Sequence, residues 1–91
     1  MHAVIGMVSI QVGREDESTE YLKTNVLPMV KQAPGVITGY FVAPQDGKGM
    51  GFTLYETEEN ARAAVEMARN APLPDYVSFD SIEVREVIAQ L

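Results

Sequence analysis

Few side chains in this sequence are of the kinds that carry covalent or acid–base chemistry. The single histidine, His2, stands at the start of the chain, where a frayed, solvated imidazole is the expectation rather than a general base. There is no cysteine, which excludes disulfides, thiolate metal sites and a cysteine nucleophile. No cluster of His, Asp and Glu has metal-site spacing, and no close carboxylate pair falls on a face predicted to line a pocket. Neither a metal nor a cofactor is expected. The glycines of Gly47-Lys48-Gly49-Met50-Gly51 do not make a phosphate loop, because a strand rather than a helix N-terminus follows them. A β-hairpin is the stronger reading of that stretch.

What remains is a polar-aromatic set. Tyr21 and Asn25 lie one helical turn apart at the border of an apolar stripe, while Tyr40, Phe52 and Tyr55 come from neighbouring strands. Rings arranged this way could line a pocket for a flat apolar ligand, with Asn25 or a tyrosine hydroxyl orienting it. The alternative is that the rings are ordinary core or interface residues and Asn25 a solvated flank.

The elements that must position these residues follow from periodicity. From His2 to Val12, Val4, Val8, Ile10 and Val12 alternate with Ile5, Met7, Ser9 and Gln11, which predicts a first strand ending at Gly13. Asp16 or Ser18 is placed to cap a helix on which Leu22, Val26, Met29, Val30 and Ala33 recur at helical spacing. Pro28 inside it removes one hydrogen bond and presses on the carbonyl of Thr24, predicting a kink. Pro34-Gly35 ends the helix. Gly35 to Ala43 and Met50 to Tyr55 predict a hairpin around the turn residues between them. Thr57 is placed to cap a second helix with a stripe of small residues, Ala61, Ala64, Val65 and Ala68. Val77 to Ile88 reads as the last strand.

The order β-α-β-β-α-β predicts an α+β, ferredoxin-like domain spanning residues 1–91, a four-stranded antiparallel sheet with both helices on one face. The strands carry apolar or half-polar residues on both faces, so the second face needs a cover. Gln11, Thr53, Glu83 and Arg85 are its candidate residues, with Met7, Ser9, Gly51 and Tyr55 beside them. A second copy packed across a two-fold axis would supply the cover. A routine surface ion pair between Glu83 and Arg85 is the competing reading of the last strand.

Composition narrows the partners. Thirteen acidic against seven basic residues give a formal charge of −6, which disfavours nucleic acid, since that affinity rests on clustered Lys and Arg. No run approaches the ~20 apolar residues of a membrane helix. The N-terminus has neither the basic region nor the cleavage site of a signal peptide, and a cysteine-free chain suits the cytoplasm.

Val30-Lys31-Gln32-Ala33-Pro34-Gly35-Val36 entering the second strand, and Met50-Gly51-Phe52-Thr53-Leu54-Tyr55-Glu56 leading through Thr57-Glu58-Glu59 into an Ala-rich helix, resemble the dimeric α/β-barrel superfamily. The likeness is to its small proteins of the antibiotic-biosynthesis-monooxygenase type. The resemblance implies a homodimer and, as one possible activity, cofactor-independent oxygenation of a small aromatic or quinol-like metabolite. Such a substrate supplies the electrons while the protein stabilises its anion. A non-catalytic dimer, structural or binding a small apolar molecule, is the rival. Some members degrade haem, and several place a Trp after the third strand and a His on the second helix. This chain has no Trp, and Val65 stands at the approximate position of that His.

Overall fold

In the computed structural model, which describes Met1–Leu91, four strands and two helical segments follow the expected order. The strands are β1 (His2–Ile10), β2 (Val36–Gln45), β3 (Lys48–Tyr55) and β4 (Val77–Glu86). They form one antiparallel sheet in the order β2-β3-β1-β4, with β1 and β3 central. This is the ferredoxin-like arrangement. The hairpin is tighter than the sequence suggested. Gln45 pairs with Lys48 across Asp46 and Gly47, both at positive φ, 53° and 74°, as a two-residue turn of the I′ kind requires. Pro44 is tolerated because β2 is an edge strand.

The first helical segment runs as α1 (Glu15–Tyr21), a π-helical turn (Leu22–Val26) and α2 (Leu27–Lys31). Neither Asp16 nor Ser18 caps it: the helix starts at Glu15 and has no side-chain cap. The Glu15 carboxylate instead accepts the Gly13 N–H at 2.8 Å, and Arg14 pairs with Glu17 at 2.6 Å. Pro28 falls in the first turn of α2. The strain expected at Thr24 is met by widening the preceding turn rather than by a sharp break, since a π turn moves the carbonyl ladder by one residue.

The second helix, α3 (Glu58–Asn70), starts as expected, with Thr57 Oγ1 accepting the Asn60 N–H at 3.0 Å. Ala61, Ala64 and Val65 are buried and pack with Val4, Ala33 and Tyr55, flanked by Ile82 and Val84. The small side chains let α3 lie close to the sheet.

β3 reverses one expectation. Val4 pairs with Thr53 on one side and Val84 on the other, which puts Gly49, Gly51, Thr53 and Tyr55 under the helices. Thr53, expected on the uncovered face, is only 6% exposed, and Tyr55 2%. The larger apolar residues Met50, Phe52 and Leu54 therefore face away from the helices. There Ile5 stands opposite Phe52 and Met7 opposite Met50. Tyr40 and Val42 extend the row onto β2.

Candidate functional site

Between the helices and the sheet lies a half-open cavity of about 380 Å³, within the range of small-molecule sites. Val8 and Ile10 of β1, Gly49 of β3 and Phe41 of β2 contribute to its sheet side. Tyr21, Leu22 and Val26 come from α1 and the π turn, and Leu73 and Pro74 from the loop after α3. A smaller cavity of about 110 Å³ lies deeper, bounded by Thr53 and Tyr55, and Val26, Phe41 and Phe79 line both. These three side chains partition one apolar trough.

Space for the trough comes from glycines in the central strands. Gly6 of β1 pairs with Gly51 of β3. A Cβ on Gly51 would stand 2.7 Å from the ring of Phe41, and one on Gly6 would stand 3.7 Å from the ring of Phe79. Phenylalanines from an edge strand on either side thus lie over bare backbone, as glycines inside strands permit. The sequence carried a signal for this floor: Gly6, Gly49 and Gly51 all sit at inward positions, which a strand gives up to small residues only where something approaches closely.

Two ties frame the mouth. The Tyr21 hydroxyl donates to the Pro72 carbonyl at 2.9 Å. The Arg14 guanidinium lies 4.1 Å from the centroid of Tyr76, a cation–π contact. The first helical segment is thereby held to both ends of the α3–β4 connection.

The candidate site residues separate. Tyr21 and Tyr55 line the larger and the smaller cavity respectively. Asn25 does not join them: it is exposed, and its side-chain amide contacts only the Tyr21 carbonyl, at a long 3.5 Å. Tyr40, 68% exposed, and Phe52 lie on the opposite side of the sheet and line neither cavity. Strand alternation explains both, because Tyr40 pairs with Phe52 and Phe52 with Ile5, in the set alternate to Phe41, Gly51 and Gly6. Of the residues expected on the outer face, Glu83 and Arg85 are exposed on β4 and pair with each other at 3.1 Å. Gln11 is exposed just beyond β1. Thr53 belongs to the trough. His2 is held in β1 opposite Tyr55 and Glu86 rather than frayed.

One polar cluster occupies a corner of the outer face, where a bulge follows Met7. Ser9 Oγ donates to the Asp80 carboxylate at 2.8 Å, and Lys48 Nζ donates to Ser9 Oγ at 2.7 Å and to Asp80 at 3.2 Å. The Ser9 hydroxyl and then the Lys48 ammonium hold the Asp80 carboxyl below its usual value. With its hydroxyl proton committed to Asp80 and a cation at its oxygen, Ser9 has no general base and is not set up as a nucleophile. No three His, Asp or Glu side chains converge on a possible metal position.

No protein-family model matches the sequence, and no curated protein is similar enough to count as a relative. Solved structures do match in fold. The haem degrader MhuD of Mycobacterium tuberculosis, with two haems bound in its active site, superposes with a TM-score of 0.77 at 16% identity, covering 100% of this chain and 99% of that one. A mutant of it with two manganese protoporphyrin IX molecules per active site gives 0.77 and 16%, covering 100% and 98%. A protein of unknown function from Nitrosomonas europaea gives 0.68 at 18%, covering 99% and 91%. At these identities the likeness is one of fold, over the whole chain.

Proposed function

We propose that the chain works as a homodimer. Each protomer holds a small flat aromatic or quinol-like molecule in its trough and oxygenates it without a bound cofactor. The observation that carries the reading is the half-open apolar cavity of about 380 Å³ with Val8, Ile10, Phe41 and Gly49 on its sheet side. With an anthrone-like substrate a ring methylene becomes a carbonyl, and with a hydroquinone a ring C–H becomes C–OH as the ring passes to the hydroxyquinone. In both, one oxygen atom of O₂ enters the product, the other leaves as water, and the substrate supplies the electrons. The side chains of the trough bury the rings and exclude water. Ser18 and Thr19, also in the lining, bring hydroxyls that can donate to the substrate anion.

Dimerisation is supported by the outer face, where Ile5, Met7, Met50, Phe52, Leu54, Tyr40 and Val42 form a continuous apolar row. Tyr40 is 68% exposed and Met7 37%, and neither lines a cavity. Large side chains turned away from the helices are stable when another surface covers them, and a self-complementary face does this with one patch.

The haem of the mycobacterial protein does not carry over. The usual axial ligands to haem iron are His, Cys, Met and Tyr. The only histidine lies outside both cavity linings, there is no cysteine, and the Tyr21 hydroxyl is already bonded to Pro72. Tyr55 lines only the cavity of about 110 Å³, and Met50, Met29 and Met67 in the linings have no histidine beside which to serve, as Met does in cytochromes c. No step is assigned to haem in this protein.

A non-catalytic ligand-binding dimer is favoured by a different observation: the lining holds no His, Asp or Glu to act as a base. Oxygen consumption with an anthrone and with a hydroquinone, alongside binding of each, separates the two. Turnover above the uncatalysed rate supports oxygenation. Saturable binding without turnover leaves the binding dimer, and failure to bind either compound contradicts both.

A further inference from the structure

We propose that the trough selects amphipathic acids: a flat apolar body lies between helices and sheet, and a single permanent anionic group, carboxylate or sulfonate, sits at the mouth against Lys23. This rests on the reading that the trough binds a ligand and names the chemical class that it takes.

Lys23 is the one charged residue in the lining of the larger cavity, and no carboxylate lines it. The ammonium forms none of the four ion pairs in the structure, which engage Arg14, Lys48, Arg62 and Arg85. In a chain of net charge −6, an unpaired cation at the rim of an apolar cavity makes that rim locally favourable for an anion against the general field of the protein. Ser18 and Thr19, one turn before Lys23 on the same helical segment, add hydroxyl donors to the lining. The placement has a structural cause. Lys23 belongs to the π-helical turn Leu22–Val26, which widens the helix where it meets the cavity. Leu22, Lys23 and Val26 all reach the lining from that single turn. Single π turns of this sort recur at functional sites. An uncharged ligand would leave Lys23 unused, and a dianion would bring one charge without a partner.

The test compares two fluorescent probes that share one apolar body, 1-anilinonaphthalene-8-sulfonate, which carries the anion, and N-phenyl-1-naphthylamine, which lacks it. With the intact protein the sulfonate is expected to bind about tenfold more tightly than the neutral amine, the value of one charge-assisted contact. Lys23→Gln should erase the difference by weakening the sulfonate alone, Lys23→Arg should restore it, and Lys31→Gln should change neither. Val26→Trp and, at the mouth, Leu73→Trp should reduce binding of both probes, with folding checked by circular dichroism. Equal affinities that ignore Lys23→Gln would overturn the anion preference while leaving the trough as a ligand site. Binding of neither probe, or binding indifferent to both tryptophans, would overturn the preference and the ligand site together.

Discussion

The ring of Phe41 lies against the backbone of Gly51, so that a Cβ on the glycine would stand 2.7 Å from Cδ1 and Cε1 of the ring. Two residues on neighbouring strands thereby set the depth of the trough, the glycine by having no side chain and the phenylalanine by filling part of the space left. Gly51→Ala must displace the ring. The expected cost is about 1–3 kcal/mol in urea unfolding, the usual range for overpacking. Because the strain is at the ring, Gly51→Ala combined with Phe41→Ala should lose less than the two single losses added together. Simple additivity would show that the ring does not lie over the glycine in solution.

The same alternation separates association from folding. Phe52 lies on the outer face and Thr53 beneath the helices, adjacent in sequence and on opposite sides of the sheet. Phe52→Glu should leave the fold intact and convert a dimer to a monomer in sedimentation, because it sets a charge in the centre of an apolar face. Thr53→Glu should lower the melting temperature sharply, since it buries an unpaired carboxylate. A folded dimer that tolerates Phe52→Glu would remove that face from the interface.

These two neighbours also mark the boundary of what could be read from the sequence. Element order, the Pro-Gly stop, the Thr57 cap and the Ala-rich stripe of α3 were legible because each is a local signal. The parity of β3 was not. Both of its alternating sets are compatible with burial, and the inward set, Gly49, Gly51, Thr53 and Tyr55, is the less apolar of the two. The rule that large apolar residues face the helices therefore points the wrong way for β3, and with it for Phe52 and its partner Tyr40. The inversion has a physical reason: the rings of Phe41 and Phe79 lie over the inward positions Gly51 and Gly6, which must therefore be small, while in the proposed dimer the opposite face takes the large residues. Helical spacing likewise puts Asn25 near Tyr21 but carries no sign of the π turn in which Asn25 lies, exposed and outside both cavity linings.

Acid should act through Asp80. Its folded-state pKa lies below the reference value of 3.8, through the Ser9 hydroxyl first and Lys48 second. A depressed carboxyl adds stability that is fully present above its unfolded value and is lost as the pH falls through the folded one. Asp80→Asn should therefore lower the urea midpoint at about pH 7, and the gap from the unsubstituted protein should shrink in acid as the pH falls through the folded-state value. A gap of equal size at neutral pH and in acid would show that the carboxyl is not held by these partners.

The claim that the trough is where a ligand sits is tested most directly by methyl-resolved nuclear magnetic resonance during titration with N-phenyl-1-naphthylamine. Val8, Ile10, Leu22 and Val26 line the larger cavity, whereas Ile5 and Leu54 occupy the outer face. The expected result is saturable shifts in the first four and none in the last two. Shifts confined to Ile5 and Leu54, or absent throughout, would contradict it.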